Sequence, residues 1–428
     1  NSGRTAAIVR REALRFDGPP PQTRVNLQEG RRRRAYWYVT PVVVRLAATD
    51  TTAGVATLRY RVNDGAWQEV ENTARIELSA TGTYVIAYQA TDVAGNQEPL
   101  QERTVRLDLS APRAWFLPVA RYHRTTSFLV RWNGQDEAQG SGLDGFDLEV
   151  KDGRNGAWMA WGAGNVPDTS GRYYGTMGHR YFFRLRARDR AGNVGPWVEM
   201  PWGVYVDIVG SGDFAGGSFG SWRNGGQLMQ SVITAPGPTG EPTYVVQLGS
   251  PDYGPNVPGL DIPPDSMGDV PIGNAHIAQV IRIPGADVLD RPRLTLWYRI
   301  FTYDTKFGES QQKWFDTLDV RLIGSSGEWL ALRDGQSYEQ WQPGRFADLG
   351  WRYLEVDIPP AWWGQTVTLS IENWNRVDGR LNTWSHVTDV RLWEPYQVFL
   401  PAVRGSLPVA PSATPAQPLY RPSPNPWR

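Results

Sequence analysis

The sequence predicts an all-β protein made of tandem β-sandwiches, and three observations support this prediction. The 428 residues include 20 Trp, 18 Tyr and 13 Phe, which is typical of β-rich chains with aromatic cores or sugar-facing surfaces. The 45 Gly and 33 Pro suit many short strands joined by turns and argue against long helices. The third observation is an internal repeat, in which residues 84–96 match residues 181–193.

The repeat has the alternation of a half-buried strand. In its second copy, one face of the strand is formed by Tyr181, Phe183, Leu185 and Ala187. Arginines occupy the positions between them, so one face is apolar and the other faces water. An Asp-x-Ala-Gly-Asn sequence follows in both copies, and Gly and Asn tolerate the positive φ angles of turns. Several such strands in succession predict a β-sandwich.

Two segments resemble known sandwich modules. Residues 19–111 resemble a bacterial immunoglobulin-like repeat, through a Pro-rich entry at 19–21, a strand at 37–44 and the run from Gly54 to Trp67. Residues 112–209 resemble a fibronectin type III-like domain of secreted bacterial proteins, with Trp132 in the core. These resemblances imply two β-sandwiches and an extracellular or cell-surface location, and they imply no chemistry.

Residues 210–396 differ from the two repeats in length and pattern. They open on a Gly-Asp-Phe sequence at 212–214, continue through a glycine-rich stretch to Trp222, and close on a strand at 388–392. This pattern resembles a jelly roll of the galactose-binding or carbohydrate-binding-module type. The resemblance implies a third and larger sandwich, followed by a Pro-rich tail at 397–428.

The jelly-roll resemblance also implies a metal site. In that family a structural calcium ion often bridges the first and last strands, and Asp213 and Asp389 match the acidic residues that bind it. Ala215 and Thr388 stand where two further acidic residues are usual, and calcium takes six to eight oxygen ligands. A second acidic group offers either an alternative calcium site or ordinary turn and strand residues. It consists of Asp304, Asp316 and Asp319. No other cofactor is predicted.

Tryptophan is concentrated in this third domain, which holds 11 of the 20. Because Trp rings stack on sugars, a glycan-binding platform is one interpretation, and packing in a core or between domains is the other. The candidates for contact with a glycan or a partner are Trp314, Trp341, Trp362, Trp363, Trp374 and Trp384. Packed positions are predicted for those within strand patterns, namely Trp297, Trp351 and Trp393.

Composition and motifs exclude several classes of function. The 44 basic and 44 acidic residues give a net charge of zero, so the chain is not a globally basic nucleic-acid binder. No cysteine is present for disulfides or thiol chemistry, and no segment reaches the roughly 18 apolar residues of a membrane span. The Gly-x-Ser-x-Gly match at 216–220 lacks the strand and helix that a nucleophile elbow needs. The chain is therefore predicted not to be an enzyme.

The arginine run at 31–34 is predicted to be a solvated loop, with contact to an acidic surface, a glycan or a neighbour as the alternative. Residues 1–18 read as the last strand of a sandwich whose front is missing, or as a processing boundary. The sequence thus predicts a non-enzymatic extracellular structural protein. It would be a subunit of a surface layer, sheath or filament, and copies would assemble through residues 1–18 and 397–428. The alternative is a glycan-binding accessory region of a secreted hydrolase or adhesin, with polysaccharide as its partner.

Overall fold

The computed structural model describes residues 18–253, 272–303, 316–335, 346–376 and 382–394. These residues belong to one compact unit, and their regular secondary structure is almost wholly β-strand, which confirms the all-β prediction. Short 3-10 turns occur at Arg34–Tyr36, Pro251–Tyr253 and Pro360–Trp362. No helix in the described ranges is long and apolar enough to cross a membrane.

The first sandwich, residues 22–107, packs a three-stranded sheet against a five-stranded one. Its strands are Gln22–Gln28 (β1), Trp37–Tyr38 (β2), Val42–Thr49 (β3), Val55–Val62 (β4), Gln68–Val70 (β5), Thr73–Leu78 (β6), Gly82–Asp92 (β7) and Gln101–Leu107 (β8). The strand orders are β1-β3-β6 and β2-β8-β7-β4-β5. Alternate side chains of the two sheets meet in one core, which includes Val44, Leu58, Ile86 and Leu107.

The second sandwich, residues 113–206, has the same two-sheet plan. Its strands are Arg113–Phe116 (β9), Tyr122–His123 (β10), Ser127–Gln135 (β11), Leu143–Asp152 (β12), Met159–Ala160 (β13), Ser170–Tyr174 (β14), Arg180–Asp189 (β15), Val198–Glu199 (β16) and Val204–Val206 (β17). The orders are β14-β11-β9 and β10-β17-β15-β12-β13, with β16 paired to β15. Trp132 and the apolar face of β15 are buried in its core, as predicted.

The third sandwich, residues 223–393, packs two five-stranded sheets. Its strands are Arg223–Gly226 (β18), Gln230–Pro236 (β19), Pro242–Leu248 (β20), Gly273–Arg282 (β21), Arg293–Thr302 (β22), Thr317–Gly324 (β23), Gly327–Asp334 (β24), Ala347–Asp357 (β25), Thr366–Asn375 (β26) and Thr383–Trp393 (β27). The orders are β18-β21-β26-β23-β24 and β19-β20-β27-β22-β25. The domain boundaries at 111 and 209 stay predictions.

The Asp-x-Ala-Gly-Asn turns have the chemistry that the sequence predicts. Asp189 Oδ1 accepts hydrogen bonds from the backbone N–H groups of Gly192 at 2.6 Å and Asn193 at 2.7 Å. Gly192 has a φ of 94°, which a residue with a side chain rarely adopts. In the first copy, the Asn96 N–H donates to Asp92 Oδ1 at 2.8 Å. Each turn is therefore closed by the carboxylate that opens it.

Candidate functional site: the outer faces of the third sandwich

The sheet β19-β20-β27-β22-β25 carries aromatic side chains on its outer face. In β22 the core is entered by Leu294, Leu296, Tyr298 and Ile300. Since successive residues of a strand point to opposite sides, Trp297, Arg299 and Phe301 lie on the outside. We call this outer surface the aromatic face. The prediction for Trp297 and Trp351 is packing in a core or between domains. The structure places neither in the core, since Trp351 pairs with Arg299 across the strands and shares this outer face with Trp297.

One part of the aromatic face is open to solvent. Trp297 and Tyr353 are opposite each other on β22 and β25, with ring centroids 4.8 Å apart and ring planes inclined by 43°. Tyr353 is 42 % exposed, and Trp297 is half-buried. On the other side of Trp297, the hydroxyl of Thr388 donates to the backbone carbonyl of Tyr244 at 2.9 Å. Two aromatic rings are thus presented side by side on a strand framework.

Ion pairs border this ring pair. Arg299 Nε donates to Asp348 Oδ1 at 2.9 Å, and Arg293 pairs with both Glu355 and Asp357. Burial alone would raise the pKa of Asp348, but the hydrogen bonds from Arg299 and from the Gly350 N–H, together with the charge of Arg299, hold that pKa below its ordinary value. The hydrogen bonds that Arg293 donates to Asp357 and Glu355 raise the pKa of its guanidinium group. Both arginines on this part of the face are therefore paired, and the three carboxylates outnumber them by one.

At the other end of the aromatic face the rings stack on one another. Trp384 stacks on Phe301 with centroids 5.1 Å apart and planes within 9°, and Phe346 continues the stack. Trp384 is only 5 % exposed, so it does not present a face to a sugar, and its predicted glycan contact is corrected to a packing role. His386 lies beside this stack, where burial lowers its pKa to about 4. The imidazole is therefore neutral at pH 7.

The opposite sheet has a polar outer face. Register places one row of four side chains across β21, β26, β23 and β24, formed by His276, Glu372, Asp319 and Arg333. The adjacent row, Ile277, Ile371, Val320 and Leu332, points into the core. We call the outer surface of this sheet the polar face. Sequence alternation within β23 and β26 could have identified it, but the strands had to be paired before the row became visible.

Asp319 is fully buried at the centre of the polar face. Arg333 donates two hydrogen bonds to it at 2.9 and 2.8 Å, Arg321 a third, and Arg376 a fourth at 2.9 Å. Burial alone would raise the pKa of Asp319, but the bonds from Arg333 and Arg321 hold it below its ordinary value. The carboxylate of Asp319, a ligand in the second predicted calcium site, is therefore hydrogen-bonded to three guanidinium groups. Asp316 accepts the N–H of Arg376 at 2.9 Å, and Asp304 lies outside the described residues.

The remaining predicted tryptophans have three different environments. Trp374 is half-buried on the polar face, where its Nε1 donates to Glu372 at 2.8 Å and Arg376 lies over its ring. Trp362 is 7 % exposed and belongs to the core, so its predicted glycan contact is also corrected. Trp363 packs against the same core, and its Nε1 donates to a backbone carbonyl at 2.9 Å. Outside the described residues are Trp314 and Trp341.

Asp213 and Asp389 do come together, but an arginine lies between them. Arg124 of the second sandwich is 3.2 Å from Asp213 and also pairs with Asp389. A guanidinium thus supplies the positive charge that calcium would bring to these carboxylates. The calcium site stays a prediction, and its two ligands are engaged in joining the second sandwich to the third.

A buried carboxylate reinforces this joint. Asp207 follows the last strand of the second sandwich and is 1 % exposed. Its Oδ1 accepts the N–H of Val209 at 3.0 Å and of Leu392 at 3.3 Å, and its Oδ2 accepts the hydroxyl of Tyr122. Tyr122 also packs edge-on against Trp393, with centroids 6.1 Å apart. The second sandwich therefore adjoins the end of the aromatic face.

The joint between the first and second sandwiches is built in the same way. Asp108 follows the last strand of the first sandwich, is fully buried, and accepts the N–H of Ser141 at 2.7 Å. Arg33 donates to the carbonyl of Gly192 at 2.8 Å, and Arg34 is 3.5 Å from Asp144. Part of the arginine run thus makes the predicted alternative contact, with a neighbouring sandwich of the same chain.

Three carboxylates meet at this first joint, and the sequence analysis did not single them out as a group. Ligand atoms of Asp108, Asp136 and Asp189 lie within 4.8 Å of one another. Burial raises the pKa of Asp136 and of Asp189, although backbone N–H groups oppose it. One oxygen of each carboxylate lies in this group, whereas calcium takes six to eight oxygen ligands. What the structure describes is a set of acceptors for turn and linker N–H groups.

Comparison with known proteins gives one partial sequence relative. No family model matches the chain. Over 163 residues the chain is 30 % identical to Exoglucanase B of Cellulomonas fimi, an alignment that covers 35 % of this chain and 14 % of that protein. The chain therefore spans about a seventh of the length of this curated relative.

Similar solved structures include carbohydrate-binding modules of the β-sandwich superfamily, at 11 % identity and a TM-score of 0.22, covering 89 % of this chain and all of that one. Fibronectin(III)-like modules of Clostridium thermocellum CbhA match at 12 % identity and a TM-score of 0.22, covering 43 % and 94 %. The FN1–FN3 domains of chicken CNTN1 match at 10 % and 0.24, covering 87 % and 99 %. The strand orders above define the fold of this chain. The chain is a tandem of β-sandwiches with one partial relative among exoglucanases.

Proposed function

We propose that this chain is a non-catalytic accessory region of an extracellular bacterial protein and that its third sandwich binds a glycan on the aromatic face. The observation that carries the proposal is the Trp297–Tyr353 pair, two aromatic rings in contact, held on adjacent strands and open to solvent. Tyr and Trp offer large, rigid, amphipathic contact surfaces at a low cost in conformational entropy.

The rest of the chain fits the same role. In the described residues the first two sandwiches each have a hydrophobic core of their own, and both joints are built from buried hydrogen bonds. They would act as spacers that hold the third sandwich in a fixed direction. The partial relative is named Exoglucanase B, and the match covers 14 % of it.

Substitution of the two rings tests the proposal. For a polysaccharide that the wild-type chain binds, Trp297→Ala and Tyr353→Ala should each weaken binding by about 30-fold. This is the effect of losing a contact worth about 2 kcal/mol. Isothermal titration of the full chain measures this. Tyr174→Ala is the matched control, because Tyr174 is a 72 % exposed tyrosine on the second sandwich. Equal affinity of all three variants and the wild type would contradict the proposal.

Assembly into a surface layer, sheath or filament stays a separate proposal. It depends on residues 1–18 and 397–428, which lie almost wholly outside the described residues. Light scattering of the native chain at rising concentration tests it. Open-ended growth beyond the 48.0 kDa monomer that deletion of residues 1–18 abolishes would support assembly, and a constant monomer mass would refute it.

A further inference from the structure

We propose that the aromatic face binds a single uncharged polysaccharide chain in solution, in preference to an acidic polysaccharide or a flat crystalline surface. This inference rests on the glycan-binding function proposed above and names the class of ligand. Three features of the face lead to it: its charges, the inclination of its rings, and the position of the neighbouring sandwich.

The charges disfavour an acidic chain. Recognition of carboxylates typically uses guanidinium groups free to pair with them. On the described part of this face, Arg293 and Arg299 are already paired with carboxylates, as is Arg391 with Asp389.

The exposed side of these pairs is acidic. The side chains of Arg293 and Arg299 are 26 % and 25 % exposed, whereas those of Glu355 and Asp357 are 39 % and 60 % exposed. A polyanion approaching the ring pair would therefore meet carboxylates before it met guanidinium groups. A neutral chain has no such repulsion to overcome, and its hydroxyl groups can donate hydrogen bonds to the same carboxylates.

The inclination of the rings disfavours a flat surface. Trp297 and Tyr353 are tilted by 43°, so a plane that lies on one ring cannot lie on the other. This inclination is in keeping with a twisted sheet, whose side chains do not share one plane. A single chain can turn between successive sugars and so can follow both rings.

The neighbouring sandwich also limits the approach of an extended surface. Tyr122 packs against Trp393, and Arg391 lies 5.5 Å from the centroid of the Tyr122 ring. On β27, Arg391 pairs with Thr295 and Trp393 pairs with Arg293, and these positions of β22 lie on its outer side. The second sandwich therefore adjoins this end of the aromatic face. A single chain can end or bend away there, whereas a crystal face extends past the boundary.

Retention by different polysaccharides tests the inference on the full chain. Native gels are cast with hydroxyethyl cellulose or xyloglucan as neutral chains and with polygalacturonate or alginate as acidic chains. Sedimentation with microcrystalline cellulose supplies the flat surface. We expect at least one neutral gel to slow the wild type, with Trp297→Ala losing at least tenfold in affinity and the control Tyr174→Ala unchanged.

The other outcomes separate the two proposals. Retention by acidic chains alone, or by crystalline cellulose alone, would overturn the neutral single-chain inference while leaving glycan binding intact. Retention by none of these polysaccharides would overturn the proposed function itself. The double substitution Glu355→Gln with Asp357→Asn frees Arg293 and should create retention by polygalacturonate, at least tenfold above wild type. A double variant still indifferent to polygalacturonate would refute the charge argument.

Discussion

Asp207 makes the stability of the second joint depend on pH. Its carboxylate is buried between two sandwiches and accepts hydrogen bonds from two backbone N–H groups and from Tyr122. Burial raises its pKa to about 6 against an ordinary 3.8, in spite of these hydrogen bonds. Since the pKa is raised in the folded state, the protonated form favours folding. The resulting stabilisation is complete below about pH 4 and is lost as the pH rises through about 6.

The size of the effect follows from this difference in pKa. A difference of about two pH units corresponds to about 3 kcal/mol between the fully protonated and the fully ionised joint. About 1 kcal/mol of this falls between pH 5 and pH 7, because the group ionises progressively in that range. Asn at position 207 has no charge to lose. Its Oδ1 can accept hydrogen bonds from the N–H groups of Val209 and Leu392, which both bond to Oδ1 of Asp207 in the wild type. Its Nδ2 can donate a hydrogen bond to the hydroxyl oxygen of Tyr122.

The assay is urea unfolding of the full chain, followed by tryptophan fluorescence at pH 5, 6 and 7. We expect Asp207→Asn to be at least as stable as the wild type at pH 7. The difference, variant minus wild type, should grow by about 1 kcal/mol from pH 5 to pH 7. Asp64→Asn serves as the control, because Asp64 is exposed in the first sandwich. The reasoning is refuted if Asp207→Asn and the wild type change equally with pH.

Two further substitutions test the ion pairs. Arg124→Ala leaves Asp213 and Asp389 without their shared cation and should cost about 1–2 kcal/mol, since the pairs are partly exposed; a urea midpoint equal to wild type would contradict this. Asp319→Asn removes the buried charge that three half-buried guanidinium groups share and should cost about 3–5 kcal/mol of unfolding free energy. A loss below about 1 kcal/mol, similar to a surface substitution, would show that Asp319 does not hold the polar face together.

The strand architecture of the repeats could be predicted because local chemistry determines it. The alternation from Tyr181 to Ala187 and the turn that follows depend on residues within one short segment. In the structure, β15 shows this alternation, and the turn comes directly after it. The first joint could not be predicted in this way. Arg33 and Gly192 are 159 residues apart, and nothing local distinguishes an arginine that spans two sandwiches from one in water.

The tryptophans show where the sequence argument was incomplete. Trp297 was assigned to a packed position because it lies in a strand, yet the alternation of β22 places it with Arg299 on the outside. That signal was present in the sequence. Trp362 is predicted to contact a glycan or a partner, but it ends a 3-10 turn and is buried in the core. Only the packing of distant strands reveals this second outcome.

Asp108 and Asp207 bear on how a protein of this kind gains further modules by duplication. Each stands directly after the last strand of its own sandwich and bonds to the backbone of the module that follows. Because every protein module has backbone N–H groups, the hydrogen bonds of Asp108 and Asp207 do not require particular side chains in the module that follows. A duplication that copies one sandwich copies its coupling group as well. Lengthening the protein by another module would therefore need no new connector to arise.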